Sequence, residues 1–199
     1  EQKQVKISPW MRLLRVPNLL TVPGDPVAGY LLASTVSSSG SPRALLPVVG
    51  ASISLYCFGL ILNDLMDLNV DLKERPDRPL PSGEISVNAA RGAAIGLAIS
   101  GLNLALFAGL PVLYVAALLS TLILLYNALF KNLPFFGVIS MGLCRGCNFL
   151  LGVSAVLTLP EKFLCIEGAP VLIGFIAITL TFIFISAVAR REMDENKSM

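Results

Sequence analysis

Residues 46–71 read LPVVGASISLYCFGLILNDLMDLNVD, an apolar run that ends in a series of acidic residues. A membrane-spanning helix needs about 20 predominantly apolar residues, and positions 46–63 contain no charged side chain. The stretch therefore predicts a transmembrane helix that carries a cluster of carboxylates at its carboxyl end.

The composition of the whole chain also indicates a lipid environment. Its 199 residues are 55% hydrophobic and 14% charged, with a mean hydropathy of +0.76, whereas soluble domains carry about 25% charged residues. The net charge of +2 gives no basis for a nucleic-acid partner. Because histidine is absent, any chemistry depends on carboxylates, Lys, Arg, Tyr or a hard metal ion.

Apolar runs of spanning length predict an all-α, polytopic transmembrane bundle with six helices. The predicted spans are 13–36, 46–65, 89–110, 111–127, 134–157 and 170–189. This topology places the cations of residues 3–15, 73–91, 131 and 190–197 on one face, opposite Arg43 and Lys162. Positive charge favours the inner face, so we expect the N-terminus and the acidic run on the cytoplasmic, stromal or matrix side.

The acidic run has the spacing of a metal site. Asn63, Asp67 and Asp71 lie at i, i+4 and i+8, and Asp64 lies beside them on the helix. Carboxylates this close repel one another unless a cation neutralises them. Oxygen ligands without histidine favour Mg²⁺ or Ca²⁺, and Mg²⁺ commonly completes its coordination with water and substrate phosphates.

A basic loop follows the acids and suggests that the metal would bind together with a diphosphate. Lys73, Arg75 and Arg78 supply cations that match diphosphate oxygens, and prolines at 76, 79 and 81 stiffen the loop. The alternative is a solvated salt-bridge cluster at a helix end. Several spaced acids beside a cationic loop at a membrane edge favour the functional interpretation.

Together these residues resemble the first signature of the UbiA superfamily of membrane prenyltransferases. The matching pattern is Asn63-Asp64-x-x-Asp67-x-x-x-Asp71, followed by Glu74-Arg75-Pro76-x-Arg78-Pro79-Leu80-x-x-Gly83. The resemblance implies Mg²⁺-dependent binding of a polyprenyl diphosphate, with Asp67 among the catalytic residues. Loss of diphosphate would leave an allylic carbocation, which an aromatic or other lipophilic acceptor in the membrane would capture.

The same resemblance assigns roles at the end of the fourth predicted helix. Tyr126 would shield the carbocation and Lys131 would contact the diphosphate, as a Tyr and a following cation do in that family. An aromatic face attracts a cation, which agrees with this role. The alternative for Tyr126 is an aromatic residue of the membrane interface.

Charged and polar residues within the predicted spans indicate a chamber. Arg145 lies midway along the fifth predicted span with Asn148 on the same helical face, and Asp25 lies in a span interrupted by prolines. Because such groups are costly in lipid, all three should point inward. In one interpretation, Arg145 and Asp25 form a structural ion pair. In the other, Arg145 and Asn148 line a chamber that holds the acceptor.

The chain departs from the family pattern near its end. A second acidic motif is expected after the sixth helix, where the acids are Glu192, Asp194 and Glu195. Glu192 and Glu195 share a helical face and either hold a second Mg²⁺ or form an ordinary acidic tail. The resemblance covers about the first six of nine helices, so residues 1–199 are expected to form a single, truncated membrane domain. Self-association into a homo-oligomer is the other explanation.

Two further functions stay open at this point. A non-catalytic component that binds or transports a lipid diphosphate would need only the first motif. A CDP-alcohol phosphotransferase would need an Asp-Gly-x-x-Ala-Arg element, which the sequence lacks.

Overall fold

The computed structural model describes residues 8–37, 40–157 and 168–198, with side chains except those of 18 and 193–198. Throughout these ranges the regular structure is helical. The helices are α1 (Pro9–Leu13), α2 (Val16–Leu19), α3 (Gly24–Val36), α4 (Pro42–Met66), α5 (Leu68–Glu74), α6 (Val87–Ala108), α7 (Leu110–Leu125), α8 (Pro134–Ser154) and α9 (Ala169–Ser198). A π-helical turn, Tyr126–Phe130, continues α7.

Five helices in the described ranges are long and apolar enough to cross a membrane. They are α4, α6, α7 with its π-helical turn, α8, and α9 over Ala169–Glu192. The predicted all-α membrane bundle is therefore confirmed, and these helices occupy five of the six predicted spans, with boundaries shifted by a few residues.

The first predicted span is not one continuous helix, and the expected number of six is corrected on this point. Residues 13–36 are divided among the end of α1, α2 and α3, and α3 has 13 residues. Proline lacks the N–H that a helix interior requires, and Pro17, Pro23 and Pro26 all fall in this segment. Short turns fill the gap, with the Gly24 N–H donating to Thr21 O at 3.2 Å.

The link between α6 and α7 is as short as the sequence predicts. Gly109 alone separates the two helices, with φ of +139°, a backbone conformation that favours glycine. Its N–H donates to the carbonyls of Ala105 and Leu106, both at 3.1 Å. The turn reverses the chain and packs α7 against α6.

Helix α8 is the centre of the bundle and contacts α3, α7 and α9, while α4 packs along α6. Small residues allow the close approaches. A Cβ placed on Gly152 would collide with the Pro26 carbonyl of α3, and one on Gly142 would collide with Ile183 of α9. Small residues at helix interfaces are typical of membrane bundles, where backbones approach closely.

Candidate functional site

The acidic residues lie where α4 passes into α5. Helix α4 ends at Met66, and Asp67 forms a single-residue break before α5. The backbone hydrogen bonds continue across the break, from the Asp67 N–H to Asn63 O at 3.0 Å and from the Asp71 N–H to Asp67 O at 2.9 Å. The acids therefore remain grouped at one end of the bundle, with Asp64 6% and Asp71 4% exposed.

Arg78 joins the two buried carboxylates. Its Nη1 lies 2.7 Å from Asp71 Oδ2 and 3.7 Å from Asp64 Oδ1. The loop that carries it is anchored by the buried side chains of Leu80 and Ile85, and the Ile85 N–H donates to Pro79 O at 3.0 Å. The proline-rich loop thus holds a guanidinium directly against the acidic run.

The third carboxylate has a different partner. Lys131 Nζ lies 2.5 Å from Asp67 Oδ1, and the Lys131 side chain is 12% exposed. Lys131 follows the π-helical turn, and its N–H donates to Tyr126 O, five residues earlier, at 2.9 Å. Such turns contain one more residue than α-helix would and occur frequently at functional sites.

Arg15 belongs to this cluster, although the sequence pattern did not single it out. Its Nη2 donates to Asp64 Oδ1 at 3.3 Å. Its φ of +46° is in the left-handed region, which is unfavourable for a residue with a side chain and is found mainly where surrounding structure enforces it. The nearby pair Arg12–Glu84 joins α1 to the loop before α6.

A cavity of about 210 Å³ extends from this cluster between α4, α7 and α8. Asn63, Arg15 and Tyr126 line it together with apolar side chains of the three helices, including Leu55, Leu60 and Ile123. The predicted residues Asn63 and Tyr126 are thus brought together on the wall of an apolar space that adjoins the acid–cation cluster.

The wall of the cavity also includes part of a buried polar network. Arg145 Nη2 donates to Asp25 Oδ1 at 3.1 Å, and Asn148 Nδ2 donates to Asp25 Oδ2 at 3.0 Å. Ser52 Oγ donates to Asn148 Oδ1 at 2.6 Å, and Arg145 Cζ lies 4.1 Å from the centre of the Phe182 ring. Arg145 and Asn148 also line the cavity. The same two residues therefore both bind Asp25 and form part of the cavity wall.

The remaining predicted residues are less closely associated with the cluster. Lys73, Arg75 and Glu192 are exposed. No described salt bridge includes Lys73 or Arg75. The side chain of Glu195 lies outside the described part of the chain.

The donor atoms fit a hard divalent cation. Asn63, Asp64, Asp67 and Asp71 offer oxygen ligands, which Mg²⁺ prefers. Among the residues that the structure describes, no three acidic, cysteine or histidine side chains converge as a metal cluster. The carboxylates pair with Arg and Lys instead. A metal ion would compete with these cations for the carboxylates, and a diphosphate would compete with the carboxylates for the cations.

Solved structures with the same architecture come from membrane prenyltransferases. One, described as digeranylgeranylglyceryl phosphate synthase in membranes, is 28% identical with a TM-score of 0.79, and covers 96% of this chain and 64% of that one. A UbiA homologue from Archaeoglobus fulgidus bound to GPP and Mg²⁺ is 23% identical with a TM-score of 0.73, and covers 94% and 65% of the two chains. At 23% identity, the similarity to the Archaeoglobus fulgidus homologue supports a shared fold alone.

Sequence comparison agrees with the structural likeness. Digeranylgeranylglyceryl phosphate synthase of Methanoculleus marisnigri is 30% identical over 186 residues, which are 94% of this chain and 61% of that protein. The chain thus spans about three fifths of this relative's length. The model of the UbiA prenyltransferase family matches residues 26–198. The chain belongs to the UbiA prenyltransferase family.

Proposed function

We propose that the cluster at the end of α4 binds a prenyl diphosphate together with Mg²⁺, and that the protein transfers the prenyl group to a lipophilic acceptor in the membrane. One observation carries the proposal. The grouped carboxylates Asp64, Asp67 and Asp71 pair with cations from other parts of the chain beside an apolar cavity. Such a site offers oxygen ligands to a metal, cations to a diphosphate and apolar walls to a prenyl chain.

The proposed roles follow from charge. Asn63, Asp64, Asp67 and Asp71 would hold Mg²⁺, and Lys131 and Arg78 would bind the diphosphate, with Lys73 and Arg75 at the exposed side. Bound Mg²⁺ would supply positive charge that stabilises the departing diphosphate. The Lys131 ammonium and the Arg78 guanidinium would add to that stabilisation, since both are largely shielded from solvent.

Tyr126 and the apolar wall would protect the cationic prenyl group. Tyr126 lines the cavity five residues before Lys131, so an allylic carbon beside the diphosphate would face its ring. An aromatic face attracts positive charge, and apolar neighbours such as Leu60 and Ile123 exclude the water that would quench it.

The names of similar archaeal proteins suggest the substrates. Digeranylgeranylglyceryl phosphate contains prenyl groups on a glycerophosphate, so we propose geranylgeranyl diphosphate as donor and a prenylated glycerophosphate as acceptor. The acceptor would enter the cavity lined by Arg145 and Asn148, with Asp25 holding both in place. Arg15 offers a further cation to the acceptor's phosphate.

The orientation and the second metal site complete the proposal. The distribution of Lys and Arg supports a site that faces the cytoplasm or an equivalent compartment. Glu192 and Glu195 would contribute to a second Mg²⁺ site near the end of α9. Self-association of the chain into a homo-oligomer also stays a prediction.

Release of diphosphate from geranylgeranyl diphosphate tests the proposed function. The protein in lipid vesicles that also contain a prenylated glycerophosphate acceptor should release diphosphate with Mg²⁺ and not with a chelator, as the acceptor captures the prenyl group. Asp67→Ala should lower the rate at least about tenfold, because it removes a charged group from the reacting centre. Asp77→Ala, which changes an exposed acid of the neighbouring loop, should retain the rate. Equal release by wild type and Asp67→Ala would reject the site, and binding without release would favour the non-catalytic alternative.

A further inference from the structure

A three-residue loop, 131–133, joins the π-helical turn to α8 and carries Lys131. Lys131 Nζ contacts Asp67, so this loop sets the position of one cation of the cluster. Carbonyl groups at the carboxyl end of a helix lack partners within that helix and need donors from elsewhere. The Lys131 carbonyl is such a group, because no backbone N–H of the described ranges donates to it.

Arg190 of α9 supplies a donor to this loop. Its Nη1 donates to the Lys131 carbonyl at 3.4 Å and to the Leu133 carbonyl at 3.5 Å. Gly137 makes room for the contact, since a Cβ at that position would lie 3.4 Å from Nη1. Both hydrogen bonds are long, so much of the attraction is that of a guanidinium charge for two carbonyl dipoles. One side chain thus joins both ends of the loop to α9.

Arg190 differs from the other cations near the cluster in what it contacts. Arg15, Arg78 and Lys131 each pair with a carboxylate of the acidic run. No salt bridge in the described part of the chain includes Arg190, which contacts backbone carbonyls instead. The guanidinium therefore acts on the backbone of the loop, and through it on Lys131.

We propose that Arg190 is a positioning residue, which keeps the Lys131 ammonium against Asp67 and in place for a diphosphate. The inference rests on the proposed function and adds to it a residue that acts through another. Without Arg190 the loop has fewer fixed contacts, and a ligand must order Lys131 as it binds. Binding of a diphosphate would then weaken although Lys131 itself is unchanged. The loop thereby links the end of α9 to the acidic run.

Acetylation of Lys131 in the ligand-free protein tests the positioning directly. Acetic anhydride reacts with accessible amines, and peptide mass spectrometry measures the rate at each lysine of the detergent-solubilised protein. The Lys131 side chain is 12% exposed. We expect Arg190→Gln to raise its rate of acetylation about three- to tenfold, the usual effect of one lost hydrogen bond. Exposed Lys73 is the internal reference and should react at an unchanged rate. An unchanged rate at Lys131 would overturn the inference.

A double-mutant cycle on Mg²⁺-dependent binding of geranylgeranyl diphosphate tests the route of the effect. Arg190→Gln should weaken binding about three- to tenfold in wild type and should weaken it no further in Lys131→Gln, because residues that act as a unit are not additive. Equal weakening in both backgrounds would overturn the inference, since Arg190 would then act without Lys131. Arg190→Lys, which keeps a charged donor at this position, should retain most of the affinity.

Arg191→Gln is the matched control, because it removes the same charge from the next, exposed residue of α9. It should leave the acetylation of Lys131 and the affinity near their wild-type values. Equal effects of Arg191→Gln and Arg190→Gln would overturn the inference, because the net charge of the helix end would then explain both. Absence of geranylgeranyl diphosphate binding by wild type would reject the proposed function, whereas the acetylation rates still decide whether Arg190 positions Lys131.

Discussion

At the scale of single residues, the two buried carboxylates of the site depend on one guanidinium. The side chains of Asp64 and Asp71 are 8% and 5% exposed, and the side chain of Arg78, which contacts both, is 27% exposed. Arg15 also approaches Asp64, whereas Asp71 has Arg78 as its one described ionic partner. A buried carboxylate that loses its cation is costly, because the charge remains in a poorly solvated position.

Arg78→Gln should therefore destabilise the protein when divalent ions are chelated. We expect the free energy of unfolding to fall by about 2–3 kcal/mol. This is less than the roughly 3–5 kcal/mol lost when a fully buried ion pair is broken, because water reaches part of Arg78. Added Mg²⁺ should restore more stability to the variant than it adds to wild type, since it no longer competes with the guanidinium. Thermal denaturation in detergent, with chelator and with Mg²⁺, measures both effects.

The control for this experiment is Arg91→Gln, which removes an exposed cation near the beginning of α6. It should leave the melting temperature nearly unchanged in either condition. If Arg78→Gln melted like wild type in chelator, the carboxylates would not depend on Arg78 and the charge assignment would be wrong.

Sequence reasoning at this scale identified members of the acid–cation cluster better than it predicted how they pair. Asn63, Asp64, Asp67, Asp71 and Lys131 were recognisable from spacing and resemblance. Arg15 lies 49 positions from Asp64 in the sequence, and Lys131 lies 64 positions from Asp67. Contacts between residues so far apart depend on tertiary packing. Arg15 also resembles an ordinary interfacial cation, so composition gave no signal for its role.

At the scale of helices, the site depends on how closely α3 and α8 approach. A Cβ on Gly152 would collide with the Pro26 carbonyl, and one on Gly29 would collide with the Phe149 carbonyl, so the two helices are in backbone contact. This contact holds Asp25 of α3 within hydrogen-bond distance of Arg145 and Asn148 of α8. Glycine positions in the interface therefore control the chamber wall.

Gly152→Ala should destabilise the bundle by about 1–3 kcal/mol, because the added methyl group meets backbone that cannot move aside locally. Gly96→Ala is the matched control, since a Cβ at that position in α6 meets no atom within 4 Å. The control should be neutral or slightly stabilising, as alanine favours helix. Thermal denaturation compares the two, and equal melting temperatures would contradict the close packing of α3 on α8.

Helix-scale features differ in how visible they are in the sequence. Long apolar runs predicted α4, α6, α7, α8 and α9, because lipid requires continuous helix of spanning length. The first segment was predicted as one span interrupted by prolines, and hydropathy alone did not show that Pro17, Pro23 and Pro26 divide it into separate helices. The π-helical turn at Tyr126 has no compositional signature, yet it sets the positions of Asn127 and Lys131.

At the scale of the whole molecule, the site is assembled from distant parts of the chain. Carboxylates from α4 and α5 meet Arg15 after α1, Arg78 of the loop before α6 and Lys131 after the π-helical turn. The cavity that adjoins them is walled by α4, α7 and α8. The oxygen ligands and cations of the cluster and the apolar walls of the cavity together support the proposal that the site binds a metal-bound prenyl diphosphate.

Equilibrium binding of radiolabelled geranylgeranyl diphosphate to the reconstituted protein tests that claim most directly. We expect binding with Mg²⁺ that weakens at least about tenfold in chelator, because the acids then retain their cations and repel the diphosphate. Asp71→Asn should weaken Mg²⁺-dependent binding, and Asp77→Asn, in the exposed loop, should not. Equal affinity with Mg²⁺ and with chelator, or unchanged binding by Asp71→Asn, would contradict a metal-dependent diphosphate site at the end of α4.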